Sequence, residues 1–170
     1  MITIHQIEEL ETFSKPIHIA LGVFDGVHIG HQAVIQTAID YAAKSDGLAG
    51  VMTFDPHPIQ VVAPERAPLR ILASISHKAT VIKNFGCDFL LVQHFDKDFA
   101  NQPAKDFIFN LKKLCPALKS ISIGEDWRFG NSREGTIHNL KLWGEELGIE
   151  IIALAPVKTC GERVSSTRIR

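Results

Sequence analysis

Ile17-His-Ile-Ala-Leu-Gly-Val-Phe-Asp-Gly-Val-His-Ile-Gly-His31 decides the fold. Its first part, Ile17 to Val23, is almost uninterruptedly apolar, which suits a strand buried on both faces of a parallel sheet. Beyond it Ile35, Ala38, Ile39 and Ala42 recur at helical spacing, and the pattern stops before Gly47. A strand, a tight turn and a helix N-terminus thus follow one another. Gly22, Gly26 and Gly30 let the backbone turn sharply and let a ligand approach with no Cβ in the way. The first helical turn adds unpaired N–H groups and the positive end of its dipole, a setting that favours an anion.

His28 and His31 flank Ile29-Gly30. With the helix beginning at Gly30-His31, both imidazoles can face the ligand side, where two donors suit a phosphate chain. The pattern is neither the GxxxxGK[ST] P-loop nor the GxGxxG dinucleotide fingerprint; it is the HxGH pattern of nucleotidyltransferases related to class I aminoacyl-tRNA synthetases. Two solvated or core histidines are the plain alternative, which the strand–turn–helix setting disfavours. A zinc site built from Asp25, His28, His31 and His57 has no common zinc spacing and no cysteine nearby.

Outward from this turn, apolar runs recur at Leu48 to Phe54, Asp88 to Val92, Ser120 to Ile123 and Glu150 to Ala155. Helical patterns separate them: one capped by Ser76 and closed by Gly86, one opened by Pro103, and Thr136 to Leu147 stopped by Gly148. Five strands alternating with helices predict an α/β fold with a doubly wound, five-stranded parallel sheet. Met1 to Ser14 reads as a short strand or extended arm followed by a helical turn. Val157 to Val164 reads as a small C-terminal hairpin.

Three further segments carry candidate chemistry. Asp55-Pro-His-Pro58 is a stiff loop at a strand's carboxyl end, where ligands of open parallel sheets sit. With Phe54 it offers a flat wall for a planar ring, although Phe54 alone reads as a core aromatic. Gly124-Glu-Asp-Trp-Arg-Phe-Gly130 holds Trp127 and Phe129 in an apparent loop, one to plug the core and one to meet a ligand. Ser165-Ser-Thr-Arg-Ile-Arg170 reads as an N-cap whose hydroxyls, with the Arg168 and Arg170 guanidinium groups, also suit phosphate oxygens. Ile59 to Leu72 reads as a surface connection, partly mobile over the site, and Gln93 to Asp96 as a segment just past a strand end.

The 170 residues suffice for one domain, 1–170, with a buried core, and the net charge of -1 gives no general pull toward nucleic acid or membrane. Any anion site must be local. Cys87, Cys115 and Cys160 are odd in number, which points to reduced thiols in the cytoplasm and against a disulfide framework. No signal peptide and no apolar run of about 18 residues is present.

These pieces together resemble the FMN adenylyltransferase module of bacterial FAD synthetases, within the bifunctional riboflavin kinase/FMN adenylyltransferase family. The matching stretches are Gly22 to His31, Thr53 to Pro58, Gly124 to Gly130 with Arg133-Glu-Gly135, and Val164 to Arg170, nearly the whole chain. The resemblance implies a Rossmann-like nucleotidyltransferase fold and transfer of the adenylyl group of ATP to FMN, giving FAD and pyrophosphate. His28, His31, Asp126 and Arg170 take the catalytic positions. Gly22, Phe24, Asp25, Gly30, Arg163, Ser165, Ser166 and Thr167 bind ATP and its phosphates. Phe54, Pro56, His57, Pro58, Trp127 and Phe129 border the flavin. Mg²⁺ enters with ATP and has no dedicated protein site; ATP and FMN are the partners, with a riboflavin kinase domain as a further partner in the intact protein. A nucleotidyltransferase for another phosphorylated metabolite, or a nucleotide- or flavin-binding module without turnover, are the alternatives.

Overall fold

The structure, a computed structural model, describes residues 1–66 and 70–170. Its sheet has six parallel strands: β1 (Ile2–Ile4), β2 (Ile17–Leu21), β3 (Leu48–Asp55), β4 (Phe89–His94), β5 (Leu118–Gly124) and β6 (Glu150–Leu154), in the order β1-β4-β3-β2-β5-β6. The sixth strand is β1, the short strand read in Met1 to Ser14 but not counted in the five-stranded sheet, and the 3₁₀ turn Ile7–Thr12 follows it. The strand is three residues long with only Ile4 buried, too short to show a period in the sequence. It forms by pairing with the free edge of β4 at Phe89–Leu91.

Every residue of β2 is buried, and the strand lies centrally between β3 and β5. Its alternate side chains feed two cores. Ile17, Ile19 and Leu21 pack with Phe107, Ile108 and Leu111 of α5 (Ala104–Leu114) and Leu140 of α6 (Ile137–Leu147). Ala20 packs on the other face with Val34, Ile35 and Ala38 of α1 (Ile29–Ser45) and Ile82 of α3 (Ile75–Asn84). Both faces of the sheet are therefore covered, which is the doubly wound arrangement. The strand order reverses direction between β2 and β5, so the crevice outside their carboxyl ends is the switch point where ligands of such sheets bind.

Three local expectations are corrected. The prolines of Asp55-Pro-His-Pro58 do not only stiffen a loop. Pro58 opens the short helix α2 (Pro58–Val62), because a proline at the first helical position loses no hydrogen bond it needs. Of the expected connection from Ile59 to Leu72, Pro64–Arg66 is a 3₁₀ turn, and residues 67–69 lie outside the described residues. The cap of α3 is Ser74 rather than Ser76. After β6 comes the expected hairpin, β7 (Lys158–Thr159) with β8 (Glu162–Arg163), leading into the short helix α7 (Ser166–Ile169) capped by Ser165.

Candidate active site

The chain leaves β2 through a turn in which Phe24, Gly26 and Val27 all have positive φ, 51°, 80° and 40°. Left-handed backbone costs a non-glycine residue about 1–2 kcal/mol. At Phe24 and Val27 that cost is met by burial, since their side chains are 2% and 3% exposed. Gly22 is required for a related reason: a Cβ there would stand 3.2 Å from the Phe24 ring. The turn delivers His28 to the N-cap of α1, where its Nδ1 accepts the His31 backbone N–H at 3.3 Å.

The His28 and His31 rings stack 3.5 Å apart at 18°, and the Phe24 ring meets His31 edge-on at 5.3 Å. The cap contact and the burial of His31 favour one tautomer for each ring. His28 Nδ1 accepts a hydrogen bond, so its proton is on Nε2. Among the described residues His31 Nδ1 is buried and has no hydrogen-bond partner; a lone pair there costs less than an orphaned N–H, which favours the proton on Nε2. Burial lowers the pKa of His28, and for His31 burial first, then the neighbouring His28, lowers it to about 3, against an opposing pull from Asp25. Both rings are neutral Nε2–H donors near neutral pH.

This low basicity predicts a pH dependence of stability. An unfolded imidazole titrates at about 6.5, the folded His31 at about 3. Between those values the unfolded state binds more protons, so stability falls as pH drops from about 6.5 toward 3. At about pH 5 the loss from His31 alone is about 2 kcal/mol. The thermal midpoint of the parent therefore falls more steeply between neutral pH and pH 5 than that of His31→Gln.

Both imidazoles line a cavity of about 300 Å³ at the switch point. Gly22, Phe24 and Gly30 border it from the turn and helix, Asp126 and Trp127 from the end of β5, and Arg163, Ser165, Ser166 and Thr167 from the hairpin and α7. Two segments far apart in sequence, the histidine turn and the Ser165–Thr167 segment, thus converge on one volume. Arg163 and Asp126 form an ion pair that joins the hairpin to the β5 turn. Ser166 Oγ donates to the Asp25 carbonyl at 2.8 Å, fastening α7 to the histidine turn. A larger concavity of about 550 Å³ lies at the end of β4 beside the one-turn helix α4 (Lys97–Ala100) and is lined by Gln93, His94, Asp96 and Asp98 among others; among the described residues its lining has no lysine or arginine to meet a phosphate.

Several expected site residues lie elsewhere. Asp25 is 2% exposed and does not line the cavity; its carboxylate accepts the Leu72 and Ala73 N–H groups at 2.9 and 3.2 Å. It also holds Arg170 at 2.6 Å, and Arg170 Nε donates to the Arg70 carbonyl. Arg170 is thus a latch on the turn rather than a group in the cavity wall, because a buried carboxylate claims its charge. Phe54 is 5% exposed among Phe95 and Phe99, 5.6 and 5.9 Å away. It is a core aromatic, not a wall for a ring.

Phe54→Ala is expected to cost about 3–5 kcal/mol of stability, measurable by denaturant unfolding, with no selective loss of one ligand. Pro56, His57 and Pro58 stand at the end of the neighbouring strand but outside the cavity lining, and His57 Nδ1 turns back to accept the Ile59 N–H. Of the two loop aromatics, Phe129 plugs the core and Trp127, stacked on it at 4.7 Å, lines the cavity.

Two residues passed over in the sequence serve this site. Lys78, 2% exposed, and Thr53, fully buried, both donate to the Val23 carbonyl at the start of the turn. A lysine at a buried helix position was the available signal for the first; nothing marked the second. The carboxyl end of β6, Leu154 to Val157, forms an apolar wall of the cavity, a place that its adjacency to β5 makes natural.

A family profile described as FAD synthetase matches residues 10–168. The bifunctional riboflavin kinase/FMN adenylyltransferase of Escherichia coli K12 is 35% identical over 152 residues, 89% of this chain and 48% of that protein. Its namesake from Buchnera aphidicola of Acyrthosiphon pisum is 34% identical over 167 residues, 98% of this chain and 52% of that protein. The chain spans about half the length of these relatives.

Among solved structures, one titled a macrolide-efflux protein from Streptococcus pneumoniae superposes with a TM-score of 0.81 at 29% identity, over 99% of this chain and 55% of that one. Pantothenate synthetase from Thermus thermophilus, at 14% identity and a TM-score of 0.68 over 99% of this chain and 67% of that one, shares the fold. With paired imidazoles at the switch point and a profile that spans all but the two ends, the chain belongs to the FAD synthetase family.

Proposed function

We propose that this chain transfers the adenylyl group of ATP to FMN, and the two neutral Nε2–H donors at the N-terminus of α1 carry the reading. A phosphate oxygen of FMN attacks the α-phosphorus of ATP, the bond to the bridging oxygen of the β-phosphate breaks, and pyrophosphate leaves. The FMN phosphate is already anionic near neutral pH, so no protein base is needed. What the chain supplies is alignment and stabilisation of charge growing on the phosphate oxygens. Neutral donors suit that work, because they strengthen as the oxygens gain charge and compete with no counter-ion beforehand.

Asp126 is a carboxylate at the cavity and is paired with Arg163. Among the described residues no three metal-binding side chains gather. Asp126 is the carboxylate that would stand beside a Mg²⁺ ion carried in on the triphosphate, and such an ion would supply positive charge opposite the phosphate oxygens. Arg163 turns from Asp126 to the phosphate chain when ATP enters. Arg163→Ala then raises KM for ATP about tenfold, the worth of a charge-assisted hydrogen bond, with KM for FMN little changed in steady-state assays. Trp127 is the cavity aromatic against which a planar ring can lie.

No helix among the described residues is long and apolar enough to cross a membrane. A riboflavin kinase domain in the intact protein is the natural source of the FMN. Incubation of purified protein with Mg²⁺, ATP or CTP, and FMN or NMN, followed by chromatography, tests the reading. FAD from ATP and FMN supports it; a different dinucleotide, or binding without product, overturns it.

A further inference from the structure

The turn from Gly22 to His28 places both imidazoles, yet its backbone is strained at Phe24 and Val27. Such conformations persist only when their surroundings over-determine them. The chain direction is set at the peptide joining Val23 to Phe24, just ahead of the first left-handed residue. Its carbonyl accepts two side-chain hydrogen bonds, from Thr53 Oγ1 of β3 at 2.9 Å and from Lys78 Nζ of α3 at 2.9 Å. Two donors from two different elements fix the orientation of that peptide plane. A single bond leaves it free to rock about the contact.

Lys78 has no surface role that explains it. It is 2% exposed, on a helix whose other buried residue is the apolar Ile82, with Ile75, Ala79 and Val81 packed beside it, and leucine or methionine at that place would pack without desolvating an ammonium group. Burial lowers its pKa, while the Asp25 and Asp55 carboxylates oppose that and favour its charge. The second end of the same turn is tied as well: Val27 N–H donates to the Phe24 carbonyl at 3.2 Å, and Gln32 Nε2 donates to the Val27 carbonyl at 3.0 Å.

We propose that Lys78, acting with Thr53 through the Val23 carbonyl, is a positioning residue for His28 and His31. The inference rests on the adenylyl-transfer reading for its kinetic consequence but not for its structural one. Lys78 touches no reacting atom. It sets the plane from which the turn departs, and a rocked peptide swings the stacked imidazoles away from the phosphates, where about 1 Å of misplacement is enough to cost two orders of magnitude in rate.

Two variants remove one donor each with little change of shape, Lys78→Met and Thr53→Val, and a third combines them. Imidazole Hε1 resonances are followed by NMR in the ligand-free protein, alongside kcat and KM for FAD formation. In either single variant the His28 and His31 signals are expected to move while those of His18 and His138 stay, and kcat to fall at least tenfold with KM for FMN unchanged. The double variant is expected to lose less than the product of the two single effects, since both act through one carbonyl. If Lys78→Met does not fold, Thr53→Val decides. Unmoved His28 and His31 signals with parental kcat in a folded variant overturn the proposal. So do shifts of all histidines together, with kcat falling only as the folded fraction falls. A parent that makes no FAD sinks the adenylyl-transfer reading alone, because the resonances still report whether Lys78 places the rings.

Discussion

His28→Asn is expected to lower kcat for FAD formation by about 10²- to 10³-fold while leaving the protein nearly as stable as the parent. Asparagine is among the preferred N-cap residues, and its Oδ1 stands close to where His28 Nδ1 accepts the His31 N–H. The cap survives, but no atom replaces Nε2–H. His31→Ala is expected to lose activity to the same extent. His31→Gln is expected to recover part of it, since the glutamine amide reaches the position of the imidazole Nε2. Rapid-quench measurement of the chemical step, with thermal melts of each variant, separates the two functions. Near-parental turnover in both His28→Asn and His31→Ala removes the rings from the mechanism.

The second large effect belongs to Asp25. Its buried carboxylate joins the histidine turn to residues 72 and 73 and, through Arg170, to α7. Asp25→Ala strands a half-buried guanidinium and two N–H groups, and breaking such a pair costs about 3–5 kcal/mol. In a domain of this size that is about 10 °C in the thermal midpoint. Asp25→Asn keeps an acceptor for Leu72 and Ala73 but loses the charge that holds Arg170, so its midpoint lies between those of Asp25→Ala and the parent. KM for ATP rises in both, because α7 brings Ser166 and Thr167 to the cavity. A midpoint within about 2 °C of the parent in Asp25→Ala contradicts the latch.

The sheet and its central turn were legible because they rest on local pattern. An apolar run, three glycines and a helical period determine a strand, a turn and a helix wherever they occur together, and the convergence of His28 with Ser166 and Thr167 followed once the strand order put their segments at one edge. What the sequence did not disclose depends on which of two neighbours a side chain chooses. Arg170 is a cation beside a phosphate-binding pattern, but Asp25, 145 positions away, takes it. Phe54 ends a strand at the ligand edge, but Phe95 and Phe99 draw its ring into the core. The short strand β1 was legible as a strand, but its place in the sheet depends on the edge that β4 offers it. Trp127 and Phe129 were indistinguishable by composition; the register of the loop decided between them.

At the centre of this account are two uncharged imidazoles, each with its proton on Nε2, presented to a nucleotide phosphate chain. Long-range ¹H–¹⁵N correlation spectra at neutral pH, before and after addition of ATP with Mg²⁺, read both points at once. The account predicts Nε2–H tautomers for His28 and His31 in the free protein and a shift of both Nε2 signals on ATP addition, with His18 unmoved. Imidazolium or Nδ1–H forms, or Nε2 signals indifferent to saturating ATP, would contradict it.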